Sequence, residues 1–312
     1  MQIYLAPMEG ITTFVYRNAF IRHYGGVDKY FTPFLSNKNL NYKEVNEISP
    51  EHNKNLVVVP QILTNQSEVF LSIAKQLADY GYREVNLNLG CPSGTVVAKK
   101  RGAGFLSIPD ALEIFLEEIF EKCSLEISIK TRIGMNSVDE WEKLLTVYRK
   151  YPLKELIIHP RLQKEFYEGT PHVEVFRMTQ ERLSTFPLCY NGDIVSKASY
   201  DAVTDSLMPV DRIMLGRGVL ANPTLPILLK SQTPESIPNA EDIKKFLAFH
   251  DEILEGYREL MSGDQPVLFR MKELWAYMRK YPNLSDKQMK QIRKSKRIDE
   301  YRSIIATVLG CC

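Results

Sequence analysis

Eight short runs of nearly unbroken apolar residues, each followed by a stretch with helical spacing, constrain this chain more than anything else in it. Strands are predicted over Ile3–Ala6, Lys29–Thr32, Leu56–Val59, Val85–Leu89, Glu126–Thr131, Glu155–His159, Leu188–Asn191 and Arg212–Leu215. Strands that are apolar on both sides belong in a parallel sheet covered by helices on its faces. The intervening patterns predict helices over Thr13–His23, Ser67–Tyr80, Ser107–Lys122, Ser137–Lys150, His172–Leu183 and Ser196–Ser206. Eight such units in about 230 residues fit a (β/α)8 TIM barrel. A doubly wound sheet is the alternative, because strand order is not written in a sequence.

The pattern changes after that. Gln232-Thr233-Pro234-Glu235-Ser236-Ile237-Pro238 reads as a linker, and from Ala240 apolar residues recur only at helical spacing, as in Ile243, Phe246, Leu247, Phe249, Ile253 and Leu254. Val267–Met278, Ser285–Ile292 and Tyr301–Leu309 predict further helices. The reading is an α/β barrel domain over 1–233 followed by a small all-α helical-bundle domain over 234–312.

No basic segment leads into an apolar one at the start, and no apolar run reaches the ~20 residues a bilayer span needs, so neither a signal peptide nor a membrane segment is expected. The five cysteines (Cys91, Cys123, Cys189, Cys311, Cys312) are odd in number and lack CxxC spacing. That argues against a disulfide framework and a zinc site, and for the cytoplasm. A net charge of +2 does not by itself announce a nucleic-acid binder.

Candidate chemistry sits where strands end. In Asn86-Leu87-Asn88-Leu89-Gly90-Cys91-Pro92 the alternation places Asn88 at a strand terminus and Cys91 at the start of a loop. Met8, Gln61, Lys130, Arg132, His159, Arg161 and Asn191 occupy the corresponding ends of other strands. Lys130 and Arg132 are two apart in an extended segment and point the same way, as do His159 and Arg161. Asn191-Gly192-Asp193 and Gly216-Arg217-Gly218 follow strands seven and eight, the usual phosphate loops of a barrel. The residues alone predict a phosphorylated ligand across the barrel mouth, with a thiol and a lysine near its reactive end. They do not say which ligand.

With these segments in hand the chain resembles the flavin-dependent dihydrouridine synthases over nearly its whole length. The resemblance rests on Ala6-Pro7-Met8, Gln61, Asn88-Leu89-Gly90-Cys91-Pro92, Gly102-Ala103-Gly104, Lys130-Thr131-Arg132, His159 with Arg161, Asn191-Gly192-Asp193 and Gly216-Arg217-Gly218, in that order. It implies an FMN-binding barrel followed by a helical RNA-binding domain. Pro7, Met8, Glu9, Gln61 and Lys130 would hold the flavin ring, and His159, Asn191, Gly192, Asp193, Gly216 and Arg217 its ribityl phosphate. Asn88 would orient the target uracil, and Lys99, Lys100, Arg132 and Arg161 would serve the RNA substrate. NADPH would reduce FMN, and Cys91 would give the proton to C5 as hydride reaches C6. Two segments depart from the family pattern, Thr32-Pro33 and Pro160-Arg161-Leu162, both on the substrate side.

A thiol near its ordinary pKa of ~8.5 stays protonated at pH 7 and can donate, so no thiolate-stabilising partner is expected beside Cys91. Transfer RNA is the expected substrate, with no protein partner implied. Eleven Lys or Arg against four Asp or Glu between Arg270 and Arg302, with aromatics interleaved, supply a phosphate-binding surface. Three other readings stay open at this point: the same reaction on ribosomal RNA, a dihydroorotate-dehydrogenase-like barrel acting on a free pyrimidine, and a non-catalytic RNA chaperone on a retired barrel.

Overall fold

In a computed structural model of the chain, which describes residues 1–183 and 186–310, eight parallel strands close into a barrel. The Cys311-Cys312 pair lies outside the described residues. The strands are β1 (Gln2–Leu5), β2 (Lys29–Leu35), β3 (Val58–Ile62), β4 (Glu84–Leu89), β5 (Glu126–Gly134), β6 (Leu156–Leu162), β7 (Leu188–Tyr190) and β8 (Arg212–Leu215). Each pairs with the next, and β8 closes on β1 through Gln2↔Arg212 to Leu5↔Leu215. Closure excludes the doubly wound sheet.

Three strands run past the prolines at which the sequence reading stops them. Pro33 lies inside β2, Pro60 inside β3 and Pro160 inside β6. A proline removes one ladder donor, and here the pairing steps around the gap. The β2–β3 register passes from Phe31↔Val59 to Phe34↔Gln61, skipping both prolines, and the β5–β6 register jumps from Arg132↔His159 to Gly134↔Leu162. Beside Pro33 the Thr32 hydroxyl accepts the Gln61 N–H at 3.1 Å. The result keeps Gln61, Arg132, His159 and Arg161 on rigid strand instead of loop. A further helix, Tyr42–Ile48, has no counterpart in the sequence reading; an Asn41–Glu44 capping box starts it.

Alternation divides the side chains into two cores. Tyr4, Ala6, Phe31, Val59, Ile157, Cys189 and Met214 fill the barrel interior, while the outer faces of the strands meet the surrounding helices. The interior is plugged at the amino-terminal end by charge: Lys29–Glu84 at 3.1 Å, Arg212–Glu155 at 3.3 Å, and the Tyr4 hydroxyl donating to Glu155 at 3.0 Å. With one end sealed, ligand access is left to the carboxyl end.

Beyond an exposed segment containing Ile237, four helices follow: Ala240–Leu260, Asp264–Met278, Asp286–Lys294 and Ile298–Val308. The first lies on the barrel helix Phe14–His23. Phe249 makes edge contacts with Tyr16 at 5.6 Å and Tyr24 at 5.2 Å, and the Thr13 and Tyr257 hydroxyls lie 3.0 Å apart. Gly256 is needed there, since a Cβ would stand 2.7 Å from Val15. The apolar core runs unbroken from barrel to helices. Among the described residues no helix is long and apolar enough to cross a membrane.

Candidate active site

A cavity of about 490 Å³ opens at the carboxyl ends of the strands. Inward-facing residues form its floor: Gln61 from β3, Asn88 from β4, Lys130 from β5 and His159 from β6, with Asn191 just beyond β7. Period-two alternation puts them there, one layer above the apolar interior.

Asn88 sets the position of Cys91. Its side-chain oxygen accepts the backbone N–H groups of Gly90 at 3.0 Å and Cys91 at 2.9 Å, and its NH2 donates to Gln61 Oε1 at 2.7 Å. From the other side Gly102, at φ +53°, lies against the cysteine; a Cβ there would stand 2.9 Å from Cys91 Cβ. The Ala103 N–H holds the Cys91 carbonyl at 3.1 Å. The Gly102-Ala103-Gly104 segment therefore serves packing beneath the cysteine loop, since a Cβ at Gly104 would reach 2.6 Å from the Val97 carbonyl.

Burial pushes the Cys91 thiol above its ordinary range; the Ser93 N–H and the nearby Arg132 and Lys130 oppose this without reversing it. The thiol is a proton carrier at neutral pH. Burial also pushes the Lys130 ammonium down to about 8, aided by Arg132. Burial, then the neighbouring Arg132, Lys130, Arg161 and Arg217, holds His159 well below the usual imidazole range, so its ring is neutral. Among the described residues no group hydrogen-bonds the Lys130 ammonium or the His159 ring. Unpartnered polar groups in a pocket floor await an occupant.

The other end of the cavity is built for negative charge. Asp193, in left-handed backbone at φ +42°, bridges the buried Arg161 (2.8 Å) and the half-buried Arg217. Two guanidinium groups against one carboxylate leave a net positive charge, and Arg161 Nη1 is buried with no partner. The two glycines of the Gly216-Arg217-Gly218 loop differ in purpose. A Cβ at Gly218 would stand 2.3 Å from the Ile194 carbonyl, so packing demands that glycine; a Cβ at Gly216 would meet only Ala6 and Met8 at 3.5 Å or more. The space at Gly216 is left open by the protein itself.

Arg132 is buried. Its guanidinium donates to the carbonyls of Gly90 at 3.0 Å, Leu162 at 2.9 Å and Phe166 at 2.7 Å, tying the cysteine loop to the loop after β6. Pro7, Met8 and Glu9 line the wall after β1, where the Met8 N–H is held by Thr12 Oγ1 at 2.8 Å and Glu9 pairs with Lys43 at 3.3 Å. Lys99 and Lys100 are exposed on the turn beyond Cys91, outside the cavity.

Two lining tyrosines escape the sequence reading of the mouth. Tyr167, 53% exposed, lies under Arg217 at 4.9 Å and Arg132 at 5.4 Å. Its signal is an aromatic pair, Phe166-Tyr167, in an otherwise charged loop. Tyr277 reaches the same mouth from the helix Asp264–Met278, which the Arg270 guanidinium fastens to the Gly10 carbonyl at 3.4 Å. No local pattern places a residue so distant in sequence at the barrel opening.

The profile of the family described as dihydrouridine synthase (Dus) matches residues 4–303. A probable tRNA-dihydrouridine synthase 2 of Bacillus subtilis is 25% identical over 309 residues, covering 96% of this chain and 92% of the relative. A probable tRNA-dihydrouridine synthase of Staphylococcus aureus is 29% identical over 232 residues, covering 70% and 68%. Among solved structures, histamine dehydrogenase from a Rhizobium species superposes with a TM-score of 0.54 at 12% identity, over 80% of this chain and 49% of that one. That last likeness is one of fold.

Proposed function

Because the chain belongs to the dihydrouridine synthase family, we propose that it reduces a specific uridine of transfer RNA to 5,6-dihydrouridine, using FMN and NADPH. The observation that carries this reading is the shared cavity of a thiol kept protonated and an ammonium with no protein partner. A flavin mononucleotide fits the residues present. Lys130 and Gln61 would meet the acceptor edge of its ring, with Pro7, Met8 and Glu9 along the wall. His159, Asn191, Gly192, Asp193, Gly216 and Arg217 would hold the ribityl phosphate, at the end where Arg161 and Arg217 outnumber Asp193.

When bound and reduced by NADPH, FMN supplies the hydride that reaches C6 of the uracil. Charge then builds on the C4 carbonyl side of the base, and Cys91 delivers its proton to C5 from the opposite face. The thiolate recovers its proton from water. Asn88 would orient the base, and its hold on the Cys91 N–H keeps donor and base in register. Arg132 would contribute less by touching RNA than by fixing the two loops between which the base enters, and Arg161 acts through Asp193. The base must leave its stack to reach the cavity.

The division into a catalytic barrel, 1–233, and a helical RNA-binding domain, 234–312, is part of the same reading. The helix Asp286–Lys294 supports it: Lys287, Lys290, Arg293 and Lys294 are exposed and, among the described residues, none is ion-paired. Lys99 and Lys100 would add backbone contacts beside the cavity.

The test is reduction of unmodified transfer RNA by the FMN-loaded protein with NADPH. A gain of two hydrogens on one uridine, located by mass spectrometry of nuclease fragments, is the expected result. Reduction of free orotate or uracil in place of RNA would overturn the proposal.

A further inference from the structure

A chain of side-chain hydrogen bonds crosses the barrel interior beneath the cysteine. Glu84, at the closed end, accepts from Ser128 Oγ at 2.8 Å; Ser128 Oγ accepts from Asn86 Nδ2 at 3.0 Å; Asn86 Oδ1 accepts from Gln61 Nε2 at 2.8 Å. Gln61 Oε1 in turn accepts from Asn88 Nδ2, and Asn88 Oδ1 accepts from the Gly90 and Cys91 N–H groups.

Chemistry at the two ends fixes the same direction independently. Backbone N–H groups only donate, so the Asn88 atom facing them is oxygen, and every amide downstream follows. A carboxylate only accepts, so the single hydroxyl hydrogen of Ser128 points away from Asn86, whose nearer atom must be nitrogen. The alternative acceptor for Ser128, the Val85 carbonyl at 3.4 Å, leaves that direction unchanged. Each amide spends its oxygen within the chain. Gln61 and Asn88 each keep one N–H hydrogen, and both residues line the cavity.

We propose that Glu84, Ser128 and Asn86 are positioning residues: they lock the polarity of this chain, so that Gln61 and Asn88 turn N–H donors, beside the Lys130 ammonium, toward acceptor atoms of the flavin and the base. The proposal rests on the functional reading above for the identity of those ligands, but not for the chain itself.

Asn86→Asp tests it. An aspartate there still accepts from Gln61, but it competes with Glu84 for the one hydrogen of Ser128. Protonated, the introduced carboxyl restores the donor toward Ser128; ionised, it cannot. The charged groups facing that position are Glu84 and Lys29 below it, Glu155 just before β6 with its partner Arg212 on β8, and Lys130 above it on β5. FMN binding to the flavin-free variant, followed by fluorescence quenching, is expected near wild-type at low pH. It should weaken by about tenfold as pH rises through a burial-elevated carboxyl range, in addition to the decline past about 8 that Lys130 gives both proteins. Ser128→Ala cuts the chain without adding charge and should weaken binding at all pH values, with Ser128→Thr recovering it.

Alkylation of Cys91 by iodoacetamide, read at that peptide by mass spectrometry, reports on the far end of the chain with no ligand present. It should change in Asn86→Asp and Ser128→Ala. Variants that match wild type in both FMN affinity and Cys91 alkylation at every pH would overturn the proposal. A wild-type protein that binds no FMN would overturn the functional reading instead, while the alkylation comparison would still decide the chain.

Discussion

Two buried histidines, His250 and His159, stand in opposite circumstances. In the helical region the Trp275 indole donates to the Tyr301 hydroxyl at 2.6 Å, and that hydroxyl lies 2.6 Å from His250 Nε2. An indole only donates, so Tyr301 passes its own hydrogen to Nε2, and Nδ1 carries the proton that meets Asp251 at 2.9 Å. Both ring nitrogens are satisfied by protein. The ring of His159, equally out of bulk solvent, has no hydrogen-bond partner among the described residues and faces a ring of cations. Saturated polar groups mark a region that folds for its own sake; unsaturated ones mark a region folded for something else.

The sharpest way to break that contrast is at Cys91. Cys91→Ala should lower RNA reduction by at least about 100-fold while NADPH still reduces the bound flavin in stopped-flow measurements. Thermal stability should hardly move. Lys130→Met comes next: FMN affinity should fall by about 10–100-fold, the worth of a charge-assisted hydrogen bond, with the melting temperature unchanged or raised because an unpaired buried cation is gone. In the wild type the ammonium loses its proton as pH rises past about 8, so affinity should decline there and stay flat in the variant.

The histidines sharpen the contrast directly. His250→Phe should cost about 1–3 kcal/mol in urea unfolding, because Tyr301 is left with a buried donor, and should leave FMN affinity alone. His159→Phe should do the reverse. Since the folded state holds His159 neutral while the unfolded chain protonates near pH 6.5, the wild type loses stability as pH falls below that value, by up to about 1.4 kcal/mol per pH unit, and the variant should not. The smallest effect is expected on the helical surface. Lys287→Gln with Lys290→Gln should flatten the log-log salt dependence of RNA binding by roughly 0.7–0.9 for each phosphate no longer neutralised, leaving turnover of bound RNA intact.

The barrel was legible because strands buried on both faces leave continuous apolar runs, as in Leu156-Ile157-Ile158. The site was legible where strand-end polar residues stand against that background, as Lys130, His159 and Asn88 do. The prolines misled. Pro33, Pro60 and Pro160 read as strand ends, yet their missing donors fall where the ladder slips register, a fact held by the neighbouring strand. Asn86, Ser128 and Glu84 draw no role from the sequence, since inward polar residues in a strand look like interruptions until a partner strand supplies the matching donor or acceptor. Tyr277 is visible as an aromatic in the basic stretch from Arg270 to Arg302, but its arrival at the mouth depends on how its helix docks through Arg270.

The contact between Phe14–His23 and Ala240–Leu260 bears on how this protein could be cut. Tyr16, Phe20 and Tyr24 spend their ring edges on Phe249, and Val15 rests against bare backbone at Gly256. Severing the chain near residue 233 would strip the barrel's first helix of its cover and leave a sticky aromatic wound. The carboxyl-terminal helices are therefore no detachable accessory: a shortened enzyme would need its first helix repainted with polar residues before it stayed in solution.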